Sequence, residues 1–174
     1  MIRSVVLAVG SAGILLLSWD SLRDPRAHGF YRFFAFEAVL ALFVLNVEHW
    51  FREPFSACQI ISWLLLVASL FLVLHGFHLL RVVGRPEGKI ENTTTLVRVG
   101  AYKYIRHPLY ASLLLLAWGI FFKDPSWIGG ALAVAASLFL WATARVEEAE
   151  NLTRFGASYA AYIKTTKRFI PFLF

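Results

Sequence analysis

The sequence predicts an all-α integral membrane protein with about five transmembrane helices, a C-terminal helical hairpin, and a polar loop and tail on the cytoplasmic side. Of its 174 residues, 59% are hydrophobic and 16% are charged, whereas soluble domains are about 45 to 50% apolar and about 25% charged. Five apolar stretches account for this excess. We expect a single transmembrane domain over residues 1–174, with three spans in 1–80 and a functional core in 81–174.

The first three apolar stretches each predict one membrane span. They are Val5 to Trp19, Gly29 to Val47 and Ser56 to Leu80. The first stretch could also be a secretory signal, because Arg3 precedes a short apolar segment. No cleavage site of small residues follows it, so we favour a span.

The last two stretches, Leu109 to Phe122 and Ser126 to Thr143, predict a helical hairpin. The fourth has 14 residues, fewer than the about 20 that a straight helix needs to cross the hydrocarbon. Pro108 suits the first helical position, which makes His107 the cap residue. The first amides of a helix have no intrahelical partner and form the positive end of its dipole. The start of helix four is therefore a suitable site for a carboxylate or phosphate.

Lysine and arginine are unevenly divided between the two sides that five spans would define. The first loop carries three, the loop over 81–107 six and the tail five, which places 14 on one side and three on the other. Cytoplasmic loops carry an excess of basic residues, so the N-terminus is predicted outside and the 81–107 loop and the tail in the cytoplasm. The basic residues then face anionic membrane lipids, and we expect no nucleic-acid partner.

The segment from Thr94 to Tyr110 has the densest group of chemically interpretable residues. The polar, β-branched run from Asn92 to Thr95 predicts extended backbone whose amides could bind a ligand. The tyrosines that follow offer aromatic faces for a cation or an adenine ring. The alternative is an aromatic belt at the membrane surface, with Arg106 reaching lipid head groups.

A second polar cluster ends helix five and contains Arg145, Glu147, Glu148 and Glu150. Adjacent carboxylates on a helix cannot face the same way, so Glu147 and Glu148 must have different neighbours. A solvated helix end with surface ion pairs is the alternative, and we favour it for Glu150.

The tail beyond this cluster predicts an amphipathic segment. Apolar residues recur at three- and four-residue spacing, with Gly156 as a break. The segment is expected to lie on the bilayer or to pack over the loop. The recurring residues are Leu152, Phe155, Tyr159 and Tyr162.

Three residues in the first half of the chain are weaker functional candidates. His75 and His78 lie three residues apart near the end of helix three. On the same side they lack a third ligand apart from His28 or His107, so we predict no metal site. Glu37 lies inside the second apolar stretch, where an ionisable residue is costly unless it has a role or reaches the interface.

Two motifs flank the predicted hairpin, and their order and separation are informative. The first is Gly100-x-Tyr102-x-x-x-Arg106-His107-Pro108-x-Tyr110, and the second is Glu147-Glu148 with the tail pattern and a terminal Arg168-Phe169-Ile170-Pro171. Together they cover roughly residues 81–174. The combination resembles the isoprenylcysteine carboxyl methyltransferase family and its prokaryotic integral membrane methyltransferase relatives.

The resemblance implies an integral membrane methyltransferase that uses S-adenosyl-L-methionine, with 81–174 as the methyltransferase core. It implies that the cofactor lies along the backbone before helix four, against the start of that helix, with one carboxylate from helix five. The cofactor-binding residues that it implies are Thr94, Thr95, Leu96, Val97, Tyr102, His107, Pro108, Leu109, Tyr110 and Glu147.

Methyl transfer needs an aligned acceptor and a site without water, and it needs a base only where the acceptor must lose a proton. The candidates for positioning or proton removal are Arg106, Glu148 and Arg145. Eukaryotic members of the family have a substrate-side arginine four residues before the matching glutamate. This sequence has Thr143 there, so a prenylcysteine acceptor is not implied.

We expect a lipophilic small-molecule or lipidated acceptor that enters from the bilayer, because the first turns of helix four are apolar. Two alternatives remain at this point. Membrane sterol and enone reductases share a similar motif and bind NADPH, although the extra phosphate calls for more arginines than the 81–98 loop offers. A non-enzymatic membrane scaffold would explain the apolar helices but gives no reason for the polar residues before His107.

Overall fold

The computed structural model describes residues 2–88, 90 and 93–171. Within that part of the chain the regular elements are helices, and the β-pairing consists of two isolated bridges. Short 3-10 turns occupy Val47–His49 and Gly100–Lys103. The six α-helices are α1 (Ile2–Leu22), α2 (His28–Asn46), α3 (Ala57–Val82), α4 (Pro108–Phe121), α5 (Trp127–Phe155) and α6 (Ala157–Thr165).

Four of the described helices are long and apolar enough to cross a membrane, namely α1, α2, α3 and α5. Helix α4 has 14 residues, and at 1.5 Å per residue it is about 21 Å long. The hydrocarbon core is about 30 Å thick. All five predicted helices form. Because α4 is shorter than the hydrocarbon core is thick, the predicted count of five spans is not confirmed. Helix α5 also continues past Thr143 to Phe155, so both carboxylates of the second motif are helical.

The chain divides into two compact units. The first comprises Met1–Val67 and Leu114–Glu147, and the second comprises Ala68–Leu113 and Glu148–Phe174. The boundaries lie inside helices α3, α4 and α5, so each of these helices contributes one part to each unit.

The core of the first unit consists of small and aliphatic side chains from α2, α4 and α5. Two buried side chains of this unit donate hydrogen bonds to backbone carbonyls of α4: the Asn46 amide donates to Ile120 over 2.8 Å, and the Ser62 hydroxyl donates to Gly119 over 2.7 Å. The buried core residues are Ala38, Leu42, Ala117, Ile120, Ala133 and Ala136.

Helix α1 packs along α2 in this unit. The Ser11 hydroxyl donates to a carboxylate oxygen of Glu37 over 2.7 Å. The intramembrane carboxyl that the sequence marked as a functional candidate therefore joins two helices through a hydrogen bond.

The turn after α4 contains a buried lysine. The Lys123 ammonium donates to Gln59 Oε1 over 2.9 Å and to the Trp50 carbonyl over 3.3 Å. Its nitrogen also lies 3.6 Å from the centroid of the Trp63 ring, within cation–π range. Burial lowers the pKa of Lys123.

In the second unit, the C-terminal part of α3 packs closely against the start of α4. The Ser69 hydroxyl donates to the Ser112 carbonyl over 2.8 Å. A Cβ on Gly76 would lie 3.1 Å from Leu109 Cδ2, so the glycine permits the close approach. This packing fixes the start of α4 relative to α3.

The tail forms a helix of its own. Helix α5 ends at Phe155, and Gly156 adopts a positive φ of 53° before α6, which confirms the predicted break. The Tyr162 hydroxyl donates to the Tyr102 carbonyl over 2.6 Å, and the Arg98 guanidinium donates to the Ser158 carbonyl. Of the two predicted placements, the tail takes the one over the loop.

Candidate functional site

The site is built around the start of α4. The helix begins at Pro108, as predicted, and the Ala111 amide donates to the His107 carbonyl over 2.9 Å. The imidazole of His107 stacks on the Tyr110 ring with a centroid distance of 5.4 Å and an interplanar angle of 20°. His107 is 4% exposed, so this aromatic pair belongs to the protein interior and not to a surface belt.

A short extended segment leads into the helix and pairs with the tail. Ile105 and Lys167 form a parallel bridge. The Arg106 amide donates to the Lys167 carbonyl over 2.8 Å, and the His107 amide donates to the Arg168 carbonyl over 3.2 Å. These two amides are therefore engaged by the tail. Both residues precede the first turn of α4, so the prediction that the amides of that turn could bind an anion stays a prediction.

Glu148 lies at the centre of a buried charge cluster. Its Oε1 accepts from Arg106 Nε over 2.8 Å and lies 3.3 Å from His107 Nε2. Arg168 donates to both oxygens, from Nε to Oε1 over 3.1 Å and from Nη2 to Oε2 over 2.7 Å. A carboxylate from α5 thus joins the residues before α4 to the end of the tail.

The cations of this cluster are also fixed by backbone groups. Arg106 Nη1 donates to the carbonyls of Thr166 and Ile163, and the Arg106 side chain is 8% exposed. Hydrogen bonding to Glu148 raises the pKa of Arg168, so its guanidinium stays charged. Two guanidiniums therefore face one carboxylate.

Tyr162 anchors the tail helix beneath this cluster. Its ring is 5% exposed, and its hydroxyl donates to the carbonyl of Tyr102. Burial raises the pKa of Tyr162, so the phenol remains neutral and keeps its donor. Tyr102 is itself buried, which removes it from the membrane surface where an aromatic belt would lie.

The loop before the site is more compact than the sequence predicts. The Thr94 and Thr95 amides both donate to the Gly84 carbonyl, over 3.0 and 3.1 Å. They are engaged in the loop, which corrects the expectation that both are available to a ligand; Asn92 lies outside the described residues. Leu96 and Val97 follow without regular secondary structure, and Val97 is 4% exposed.

Comparison of the chain with known proteins identifies its family. The family model described as phospholipid methyltransferase matches residues 57–158. The chain belongs to the phospholipid methyltransferase family. It is also 26% identical over 114 residues to methanethiol S-methyltransferase 1 of Bradyrhizobium diazoefficiens, and that match covers 63% of this chain and 39% of the bacterial protein.

Membership of the phospholipid methyltransferase family confirms the resemblance drawn from the two motifs. Together with the four long apolar helices it identifies an integral membrane protein. The matched region begins at 57, so it includes α3, which the motifs alone do not reach.

Among the residues predicted for the site, the structure of this family member brings Arg106, His107 and Glu148 into contact. Glu147 is half-buried on the preceding position of α5. Arg145 is exposed, and its guanidinium lies 5.0 Å from the centroid of the Trp141 ring. Pro108, Leu109 and Tyr110 form the first turn of α4.

Sequence reasoning assigned no role to Arg168, although the bidentate contact with Glu148 is the most extensive in the cluster. The terminal Arg-Phe-Ile-Pro motif was the available indication, since a basic residue late in the tail can reach a carboxylate. Sequence reasoning also missed Thr166, whose carbonyl accepts a hydrogen bond from Arg106. Nothing in the sequence pattern predicts that contact, because 60 residues separate the two partners.

Proposed function

We propose that this protein is an integral membrane methyltransferase that transfers the methyl group of S-adenosyl-L-methionine to a carboxyl or other heteroatom of a lipophilic acceptor. The observation that carries the proposal is the buried cluster at the start of α4, where Glu148 meets Arg106, His107 and Arg168. Family membership supports the reaction class.

The charge of this cluster suits a ligand that carries a carboxylate. Arg106 and Arg168 bring two positive charges against the single negative charge of Glu148. The N-terminal end of α4 adds the positive end of a helix dipole. The methionyl carboxylate of S-adenosyl-L-methionine would balance this excess positive charge, because guanidinium groups bind carboxylates through charge-assisted hydrogen bonds.

The other polar groups of the cofactor need a hydrogen-bond acceptor. By the match of motifs with the family, we assign the cofactor's ammonium or ribose hydroxyls to Glu147. The backbone of Thr94 to Val97, the buried Tyr102 and the first turn of α4 complete the proposed site. The stacked rings of His107 and Tyr110 offer an aromatic wall.

When bound, S-adenosyl-L-methionine supplies an electrophilic methyl group on a sulfonium. Glu148 is held between two guanidiniums, which makes it a poor proton acceptor, so its proposed task is to hold Arg106 and Arg168 in place. Arg145 is exposed and stays a weaker candidate for contact with the acceptor. An acceptor that is already an anion, such as a carboxylate or thiolate, requires no base.

The acceptor is proposed to enter from the bilayer. Leu109 and Leu113 lie in the first turns of α4 and are half-buried, so apolar surface lies beside the charge cluster. Each CH₂ group that an acceptor keeps out of water contributes about 0.8 kcal/mol. A lipophilic acceptor is therefore concentrated where the methyl group must be delivered.

The experiment measures transfer of a labelled methyl group by purified protein in lipid nanodiscs. The acceptors are alkanethiols, beginning with methanethiol, and a matched series of alkyl carboxylates. We expect catalytic efficiency to rise with chain length in at least one series. Equal efficiency for short and long acceptors would refute entry from the bilayer. NADPH oxidation with an enone lipid, without methyl transfer, would instead support the reductase alternative.

The cytoplasmic orientation of the site is also a proposal, supported by the distribution of basic residues. Cys58 is the chain's single cysteine, and it is exposed at the start of α3. A membrane-impermeant maleimide added to intact cells should label it. In a Cys58→Ser background, Lys164→Cys should react only after the cells are opened. Reaction of Lys164→Cys in intact cells would reverse the proposed orientation.

A further inference from the structure

Helix α3 carries an imidazole that contacts the 3-10 turn Gly100–Lys103, hereafter the 100–103 turn. The Ala101 amide donates to His75 Nε2 over 3.3 Å. The imidazole stacks on the Phe71 ring with a centroid distance of 5.8 Å and an interplanar angle of 5°. A ring nitrogen that accepts from an amide carries no proton, so the proton of the neutral imidazole lies on Nδ1.

Gly100 makes this contact possible. Its φ is +58°, a conformation that L side chains rarely adopt. A Cβ at this position would lie 2.5 Å from His75 Nε2 and 2.6 Å from Leu79 Cδ1. The backbone at Gly100 therefore lies too close to α3 for any side chain larger than that of glycine. This close approach brings the Ala101 amide within hydrogen-bonding distance of His75 Nε2.

The 100–103 turn is hydrogen-bonded both to the segment that leads into α4 and to the tail. The Ala101 carbonyl accepts from the Tyr104 and Ile105 amides, each over 3.1 Å. The Tyr102 carbonyl accepts the Tyr162 hydroxyl. Ile105 then bridges to the tail and directly precedes Arg106. The position of the turn thus determines where the segment leading into α4 begins.

We propose that His75 is a positioning residue of the candidate site, which it holds by accepting the Ala101 amide and so fixing the 100–103 turn. The functional part of this inference rests on the proposed function, because it takes the site to bind S-adenosyl-L-methionine. His78 is three residues further along and exposed. The described residues contain no group of three or more His, Cys, Asp or Glu side chains suited to a metal ion.

Three variants of the full-length protein test this role. His75→Gln keeps an acceptor close to the position of Nε2, His75→Leu removes it, and His78→Leu is the matched control on the same helix. The first measurement is amide hydrogen exchange of the 99–107 peptide. The second is the affinity for S-adenosyl-L-methionine by titration calorimetry.

In His75→Leu we expect the 99–107 amides to exchange about fivefold faster, as the loss of one hydrogen bond predicts, and the cofactor to bind about fivefold more weakly. His75→Gln and His78→Leu should behave like the wild type. If His75→Leu does not fold, His75→Asn replaces it, because the shorter amide does not reach Ala101.

Unchanged exchange in His75→Leu would overturn the proposal, and so would faster exchange with unchanged cofactor affinity. Failure of His75→Gln to restore wild-type behaviour would also overturn it, because the role would then not depend on the acceptor. A wild-type protein that binds no S-adenosyl-L-methionine would instead refute the proposed function. The exchange measurement would still decide whether His75 positions the turn.

Discussion

The segments that flank α4 each bury a charged side chain, and the two charges are compensated differently. After the helix, Lys123 is held by the Gln59 side chain, the Trp50 carbonyl and the Trp63 ring, all of them neutral. Before the helix, Arg106 and His107 contact the buried Glu148 carboxylate of α5, which Arg168 of the tail also contacts.

The difference separates an architectural role from the proposed binding role. Neutral groups replace water only in part, so burial lowers the pKa of Lys123, whereas the Glu148 carboxylate raises the pKa of Arg168. The lysine keeps its positive charge among neutral partners, but these partners enclose the ammonium and occupy its donors. The cluster at the start of α4 holds more positive than negative charge, which suits an anionic ligand.

The largest effect is expected from Glu148→Ala. The substitution leaves the buried Arg106 and the half-buried Arg168 guanidiniums without their carboxylate, and breaking a buried pair in this way costs about 3 to 5 kcal/mol. Thermal unfolding in detergent should show the loss, and methyl transfer should disappear. Glu87→Ala, at an exposed loop position of the same unit, should change neither. A Glu148→Ala protein of wild-type stability would show that the cluster is not a structural centre.

Lys123→Met tests whether the buried lysine after α4 contributes to stability alone. The substitution keeps most of the apolar stem but removes the ammonium, so Gln59 Oε1 and the Trp50 carbonyl lose a donor. The free energy of unfolding should fall by about 1 to 3 kcal/mol, while the affinity for S-adenosyl-L-methionine stays unchanged. Lys167→Met, at an exposed position, is the control. A large loss of cofactor affinity in Lys123→Met would remove the proposed difference between the two regions.

A smaller effect is expected from the glycines of the second unit. Gly100 and Gly88 both have positive φ, at 58° and 77°, but a Cβ on Gly88 would meet nothing within 4 Å. Alanine should therefore cost backbone strain at both positions, and a steric clash with His75 only at Gly100. Gly100→Ala should be the more destabilising by about 1 kcal/mol. Equal losses in thermal unfolding would argue against a tight contact at His75.

The sequence predicted the helices well, because long apolar runs and a proline at a helix start are local properties. Pro108 begins α4, and Gly156 separates α5 from α6. The apolar stretch that predicts α5 ends at Thr143, but the charged cluster that follows was also assigned to helix five, and α5 does continue through it to Phe155. The number of spans depends on helix length, and α4 is too short to confirm five.

The site was predicted less completely, because its contacts join residues that are far apart in sequence. The motifs pointed to Arg106, His107 and Glu148, which do meet. Arg168, which donates to Glu148, comes from a tail whose pairing with residues 105–107 leaves no periodic pattern. The engagement of the Thr94 and Thr95 amides by Gly84 depends on a loop conformation that composition does not determine.

The most direct test is calorimetric titration of S-adenosyl-L-methionine into the wild type, Glu147→Gln and Glu150→Gln. We predict saturable binding by the wild type and by Glu150→Gln. Glu147→Gln should bind roughly 10- to 150-fold more weakly, as expected for the loss of a charge-assisted hydrogen bond of about 1.5 to 3 kcal/mol. Equal affinity of Glu147→Gln and the wild type would remove Glu147 from the site. Absence of binding by the folded wild type would contradict the proposed use of S-adenosyl-L-methionine.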